Sequence, residues 1–165
     1  MEIRLAQEED LEHINVIYNQ AVEEGFCTAH LEAVDMEERR RWFTAHPASR
    51  FPVLVCLCDQ KVAGWLSFGP YREGRQALAH VAEVSYYIHR SYRGKGLGSA
   101  LVEHALILAP DLGFSVLVAI LLGENRKSIA FLEKHGFARW GAMPGIARIG
   151  RVNADHLYYG LKINR

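Results

Sequence analysis

The stretch EVSYYIHRSYRGKGLGS, Glu83 to Ser99, divides into two halves. Its first half alternates with the period of a strand. Its second half sets Gly94, Gly96 and Gly98 ahead of an apolar helix. A strand that ends in a glycine-rich turn and opens a helix is an anion site, because the turn's N–H groups and the helix N-terminus both favour negative charge. Glycine at alternate positions lets the backbone turn sharply and bring those N–H groups close to a phosphate. Arg93 and Lys95 add positive charge. No Ser or Thr follows Lys95, so the run is not GxxxxGK[ST]; nor do the residues through Ala100 continue it as GxGxxG. A nucleotide hydrolase and a dinucleotide oxidoreductase are both argued against. Taken alone, glycines at such a turn are equally a packing feature.

On the strand, Val81, Glu83, Ser85 and Tyr87 share one face, and Ala82, Val84, Tyr86 and Ile88 share the other. Glutamate is depleted in strands and costly to bury unpaired. Two readings of Glu83 stand side by side. It is a carboxylate facing solvent or paired with Arg72 or Arg75, or it is a general base whose pKa is raised by desolvation.

The 165 residues are expected to form one domain, residues 1–165. Half are apolar, so a core is available. Lys plus Arg and Asp plus Glu are 19 each, which argues against a nucleic-acid partner. The densest basic run, Arg39-Arg40-Arg41, sits beside Glu37 and Glu38 on an expected helix and reads as a solvated charged face. The N-terminus is too charged for a secretory signal. The longest apolar run, Phe114 to Leu122, is about half a membrane span. Cys27, Cys56 and Cys58 are odd in number, form no CxxC pair and read as buried thiols. Together these features predict a cytoplasmic protein with no membrane partner. The eight histidines show no metal-ligand spacing, so no metal is expected. No GxSxG nucleophile motif occurs.

Along the chain, the spacing predicts a strand over 2–6, a helix over 8–24 closed by Gly25, and a loop over 26–34 able to line a substrate pocket. A second helix follows the Asp35-x-x-Glu38 cap and ends at His46-Pro47. Strands are expected over 52–58 and 62–69, joined by Asp59-Gln60-Lys61, then a polar loop with Arg72 and Arg75, and the long strand 79–89. A helix over 96–109, a doubly buried strand over 114–122 and a helix over 126–135 come next. Two closing strands, 137–143 and 156–163, flank PGIARIGRVNAD, read as a loop or hairpin tip. The order β-α-α-β-β-β-α-β-α-β-β implies an α/β fold with a central mixed sheet flanked by helices on both faces.

Asn125-Arg126-Lys127-Ser128 opens the last helix, and Glu133-Lys134-His135-Gly136-Phe137 ends it. Asn125 is an N-cap; the second reading gives its amide and the Ser128 hydroxyl to the phosphate or pantetheine part of a cofactor.

Over nearly its full length the chain resembles the GCN5-related N-acetyltransferases (GNAT). The residues that carry the resemblance are Arg93-Gly94-Lys95-Gly96-Leu97-Gly98, similar to the family's acetyl-CoA pyrophosphate loop, and Asn125 with the helix ending Glu-Lys-His-Gly-Phe. Within the family it is most similar to the phosphinothricin acetyltransferase group, through Ile17-Tyr18-Asn19, Ala82-Glu83-Val84-Ser85 and Pro144-Gly145. The resemblance implies that Tyr86, Tyr87 and Ile88 offer backbone groups to pantetheine and the thioester. It implies that residues 93–98, with Ser99, Asn125, Ser128 and Lys134, hold acetyl-CoA, and that Glu83 is the base. It also implies a homodimer and a small-molecule amine as acceptor. Arg72, Arg75 or Arg148 is a candidate to hold the carboxylate or phosphinate of an amino-acid-like acceptor, and Val84 is a further candidate acceptor contact. Direct transfer to an amino-acid-like amine is the expected reaction. A polyamine, an antibiotic amine or a protein N-terminus is the alternative acceptor, and a non-catalytic CoA-binding module the alternative class.

Two departures stand out. Many members carry a tyrosine at the place of Leu132, where it protonates the departing thiolate. Herbicide-inactivating members carry Lys-x-Gly-Arg-Trp-x-Asp where this chain reads Arg148-Ile149-Gly150-Arg151-Val152-Asn153-Ala154-Asp155.

Overall fold

The structure is a computed structural model that describes residues 1–163. In chain order its elements are β1 (Glu2–Leu5), α1 (Leu11–Glu24), α2 (Met36–Thr44), β2 (Val53–Cys58), β3 (Lys61–Pro70), β4 (Val81–Ile88), α3 (Leu97–Leu108), β5 (Val116–Leu122), α4 (Arg126–Lys134), β6 (Ala138–Ile149) and β7 (Val152–Lys162). The strands form a seven-stranded sheet in the order β1-β2-β3-β4-β5-β7-β6. Every neighbouring pair is antiparallel except β4 and β5. A parallel pair needs a crossover, and α3 lies in the one that joins β4 to β5. The expected element order and mixed sheet are both present.

Strand alternation splits the core in two. Val53, Val55 and Leu57 of β2, with Trp65 of β3, pack under Leu11, Ile14, Ile17 and Tyr18 of α1. Leu54, Cys56, Leu66, Phe68, Ala82 and Val84 face the other way, against Leu97, Leu101, Val102 and Ala105 of α3 and Leu132 of α4. Each fully buried Leu, Ile or Phe side chain is worth about 1.5–3 kcal/mol relative to exposure. The buried positions of α1 recur every three or four residues, which is why that segment is a helix packed on a sheet.

Three boundaries differ from expectation. Glu8–Asp10 is a short 3-10 turn ahead of α1. The 144–155 segment is not a loop. Most of it extends β6 and β7, with the reversal at Gly150-Arg151. Pro144-Gly145 is absorbed by a register shift between Met143 and Ala147, where Gly145 takes φ +62°. Bulges take up an extra residue without ending a strand.

Arg39-Arg40-Arg41 is not a uniformly solvated face. Arg40 and Arg41 are exposed, but Arg39 is only 3 % exposed. Met36, Arg39, Trp42 and Phe43 fall at helical spacing on the side of α2 that meets α1 and β3, so Arg39 is carried inward with its apolar neighbours.

Candidate active site

β4 and β5 share only the rungs Val81–Val116, Ala82–Leu117 and Glu83–Val118. Past Glu83 they part, although β4 continues to Ile88 and β5 to Leu122. β4 keeps its other partner, β3, and β5 keeps β7. The gap therefore exposes one backbone edge of β4, with N–H and C=O groups that no strand pairs.

A cavity of about 540 Å³ opens beside this edge. It is lined by Tyr86, Tyr87 and Ile88 of β4, by Arg93, Gly94, Gly96, Leu97, Gly98 and Ser99, and by Asn125 at the head of α4 with Lys127, Ser128, Phe131 and Lys134. Glu24 of α1 and Cys27 close it from the far side. In the turn, Gly94 and Gly96 take φ +76° and +84°, the left-handed region that favours glycine. No side chain caps α3 at Gly96, so its first N–H groups are free for an anion. Gly98 has no Cβ for a packing reason: one would stand 3.2 Å from the Phe131 ring.

Asn125 caps α4 as expected, its Oδ1 accepting from the Ser128 N–H at 3.2 Å. The Tyr86 hydroxyl is fully enclosed and has no hydrogen-bond partner among the described residues. The Ser128 hydroxyl is near enough to ease its ionisation but makes no hydrogen bond with it, and burial pushes the Tyr86 pKa up to about 12. An orphaned donor on a residue that lines the cavity, an open strand edge, two left-handed glycines and Lys127 and Lys134 make a set that fits a long, anionic, amide-bearing group.

On the other face of β4, the rungs Trp65–Tyr87, Ser67–Ser85 and Gly69–Glu83 follow one another along β3 and β4. Glu83 is half-buried and makes no hydrogen bond or ion pair among the described residues; desolvation holds its carboxyl above the ordinary range. Neither Arg72 nor Arg75 pairs with it. A second, smaller cavity of about 140 Å³ lies over Ser67, Ser85 and Tyr87, walled by Tyr18, His30 and Arg39. Tyr87 borders both cavities. The 26–34 loop that forms one wall is pinned. Asn15 and Asn19 both donate to the Val34 carbonyl, at 2.9 and 3.0 Å, and Tyr18 hydrogen-bonds Thr28 and His30. The Tyr18-Asn19 pair thus positions the loop, a role its local pattern did not disclose.

Several expected contacts sit elsewhere. Lys95 points away from the large cavity and stacks on Tyr92, its Nζ 5.0 Å from the ring centre, so only its backbone belongs to the turn. Leu97 lines the cavity, but its side chain is core. The Arg93 guanidinium pairs with Glu24 at 2.8 Å and donates to the Ile88 carbonyl at 3.1 Å, which braces the turn against α1. Val84 is buried against α3 and α4, so its side chain cannot meet an acceptor on the Glu83 face. Arg72 and Arg75 are exposed and line a separate cavity of about 260 Å³. Arg148 is exposed on β6, opposite Asn153. Leu132 is 1 % exposed, in the core rather than the cavity, so a leucine there is a packing residue.

The chain is similar to known proteins over nearly its full length. The chain is 44 % identical over 164 residues, 99 % of its length and 96 % of the relative's, to "Putative phosphinothricin acetyltransferase YwnH" of Bacillus subtilis (strain 168). It is 34 % identical over 152 residues, 92 % of this chain and 88 % of the other, to the L-amino acid N-acyltransferase MnaT of Escherichia coli (strain K12). A phosphinothricin acetyltransferase (Pat) from Sinorhizobium meliloti, solved in complex with AcCoA, superposes with a TM-score of 0.92 at 26 % identity, covering 99 % of this chain and 88 % of that one. The family model for the acetyltransferase (GNAT) family matches residues 14–137, which span β4, the glycine turn and α4. With that match and the parted β4 and β5 strands, the chain belongs to the acetyltransferase (GNAT) family.

Proposed function

We propose that this protein is an acetyl-CoA-dependent N-acetyltransferase that acetylates the primary amine of a small amino acid, of the phosphinothricin or methionine sulfoximine type. The observation that carries the reading is the pairing of two sites across one strand: the anion cavity on one side of β4, and the desolvated Glu83 on the other. The relatives named above act, by their names, on phosphinothricin and L-amino acids, whose common part is an α-amino acid.

The N–H groups of residues 94–98 would hold the pyrophosphate of acetyl-CoA, with Lys134 and Lys127 supplying charge. The open β4 edge at Tyr86–Ile88 would hold the amides of the pantetheine arm, and the Tyr86 hydroxyl would gain a partner there. Bound in this way, acetyl-CoA supplies the activated acetyl group. An amine at neutral pH is an ammonium and must lose a proton before it can attack. Glu83 accepts that proton, directly or through a water, and its raised pKa brings it nearer the operating pH. A β4 N–H donates to the oxyanion. No cysteine is required. Leu132 supplies no acid to the departing thiolate, so its proton comes from water or a cavity tyrosine.

The chain acts as one domain, as a homodimer, in the cytoplasm. β6 is an edge strand carrying exposed Trp140, Met143 and Ile146, an apolar strip suited to a second copy. Among the described residues no helix is long and apolar enough to cross a membrane. The test is CoA release from acetyl-CoA across an amine panel: phosphinothricin, methionine sulfoximine, methionine sulfone and polyamines. Release with the amino acids supports the reading. Release with polyamines alone, or acetyl-CoA binding without release, overturns it.

A further inference from the structure

We propose that Arg39 anchors the α-carboxylate of the acceptor, with Ser67 and Ser85 flooring the passage from it to Glu83. The proposal rests on the amino-acid reading given above.

Arg39 is buried, yet no carboxylate among the described residues pairs with it. Its Nε donates to Asn15 Oδ1 at 3.1 Å, and its terminal nitrogens make no hydrogen bond among the described residues. The guanidinium stands 4.6, 4.7 and 5.8 Å from the ring centres of Tyr18, Trp42 and Trp65. Aromatic faces hold the cation in place but satisfy none of its N–H donors in the plane. A buried cation is costly unless paired and hydrogen-bonded. Elsewhere the chain follows that rule, with Arg4 gripping the buried Asp10 through two bonds of 2.7 and 3.0 Å. Glu38 borders the same cavity but makes no ion pair with Arg39; it leans toward His30, at 4.0 Å.

The free edge of the guanidinium has somewhere to go. Arg39 lines the 140 Å³ cavity. The Tyr86 hydroxyl is the one fully enclosed side-chain polar atom without a partner among the described residues, so the Arg39 terminal nitrogens still touch open space. Asn15 fixes the Nε side, which leaves the paired Nη side for a two-pronged grip on a carboxylate.

The ladder sets the direction. Arg39 sits over the Trp65–Tyr87 rung, the two serines form the next, and Glu83 with Gly69 the one after. Rungs on one face are roughly 7 Å apart. Glycine and serine keep the two lower rungs low. A zwitterionic amino acid bound there puts its carboxylate on the Arg39 cation; its ammonium, on the same carbon, points down the ladder over the serines and meets the Glu83 carboxylate through water. A polyamine would set a cation against Arg39.

The experiment compares matched acceptors. Wild-type enzyme is assayed with L-methionine sulfone, its methyl ester and its decarboxylated amine, and then Arg39→Gln with the same series. The expected result is a KM for the free amino acid about 10–100-fold below that of the ester and the decarboxylated amine, as for a charge-assisted pair. Arg39→Gln should raise the KM for the amino acid by a similar factor and leave the decarboxylated amine nearly unchanged. An equal loss on all three acceptors would make Arg39 a packing residue and overturn the proposal. Should the variant not fold, the wild-type comparison decides, since equal KM for acid and ester also overturns it. Wild type that acetylates the decarboxylated amine but no amino acid defeats the amino-acid reading itself, and this inference with it.

Discussion

Glu83 stands opposite Val118 on the last rung that β4 and β5 share. The backbone that carries the carboxylate is therefore fixed by sheet pairing on both sides, with Gly69 on β3 and Val118 on β5, while the next residues of β4 are free to bind a ligand. A base on a rigid rung beside an open edge is held in place without a loop.

That rung has a cost that should be measurable without substrate. Desolvation raises the folded-state pKa of Glu83 above its unfolded value. Such a group gives its full favourable share below the unfolded carboxylate pKa and loses it as pH rises through the folded one. At neutral pH the buried charge is a penalty. Glu83→Gln should then melt at a higher temperature than wild type at neutral pH, with the gap closing in acid. A variant that melts lower at neutral pH contradicts this.

Gly96 sits at φ +84°, where a Cβ costs about 1–2 kcal/mol. Gly96→Val should abolish acetyl-CoA binding in a titration calorimeter, because the turn must shift and its N–H groups with it. Normal affinity in a folded variant removes the turn from the pyrophosphate role.

Tyr86→Phe removes a donor that has no partner. An unsatisfied buried group costs about 1–3 kcal/mol, so the free protein should be no less stable and gain up to about 1 kcal/mol. Acetyl-CoA affinity should fall several-fold. Unchanged affinity together with lower stability would show that the hydroxyl serves the free fold instead.

Trp140 lies against Gly160, where a Cβ would stand 2.1 Å from the indole, so the ring is seated on bare backbone and half its surface faces out. Trp140→Glu should turn a dimer into a monomer in light scattering, with acetyl-CoA binding retained. A monomeric wild type rules out this interface.

The sequence made the backbone-driven parts readable. The glycine turn, the Asn125 cap and the oddity of a glutamate in an apolar strand each depend on a few adjacent residues, and each stands where expected. What escaped depends on distant packing. Arg39 reads as one of three surface arginines until the turn of α2 places it on the same stripe as Met36 and Trp42, a period visible in the sequence but outweighed there by charge. Lys95 carries the right charge on the wrong side of its turn, a direction set by Tyr92. The length of β6 and β7 was hidden by Pro144-Gly145, which reads as a turn but folds as a bulge.

The most direct test is the pH dependence of acceptor kcat/KM for wild type and Glu83→Gln, measured as CoA release with methionine sulfoximine. The wild-type rate should rise with pH through the Glu83 ionisation, above the ordinary carboxylate range. The variant should be slower by about 10²–10⁴-fold at neutral pH, lack that ionisation and bind acetyl-CoA as well as wild type. A variant with unchanged rate and the same pH profile would take the base out of β4.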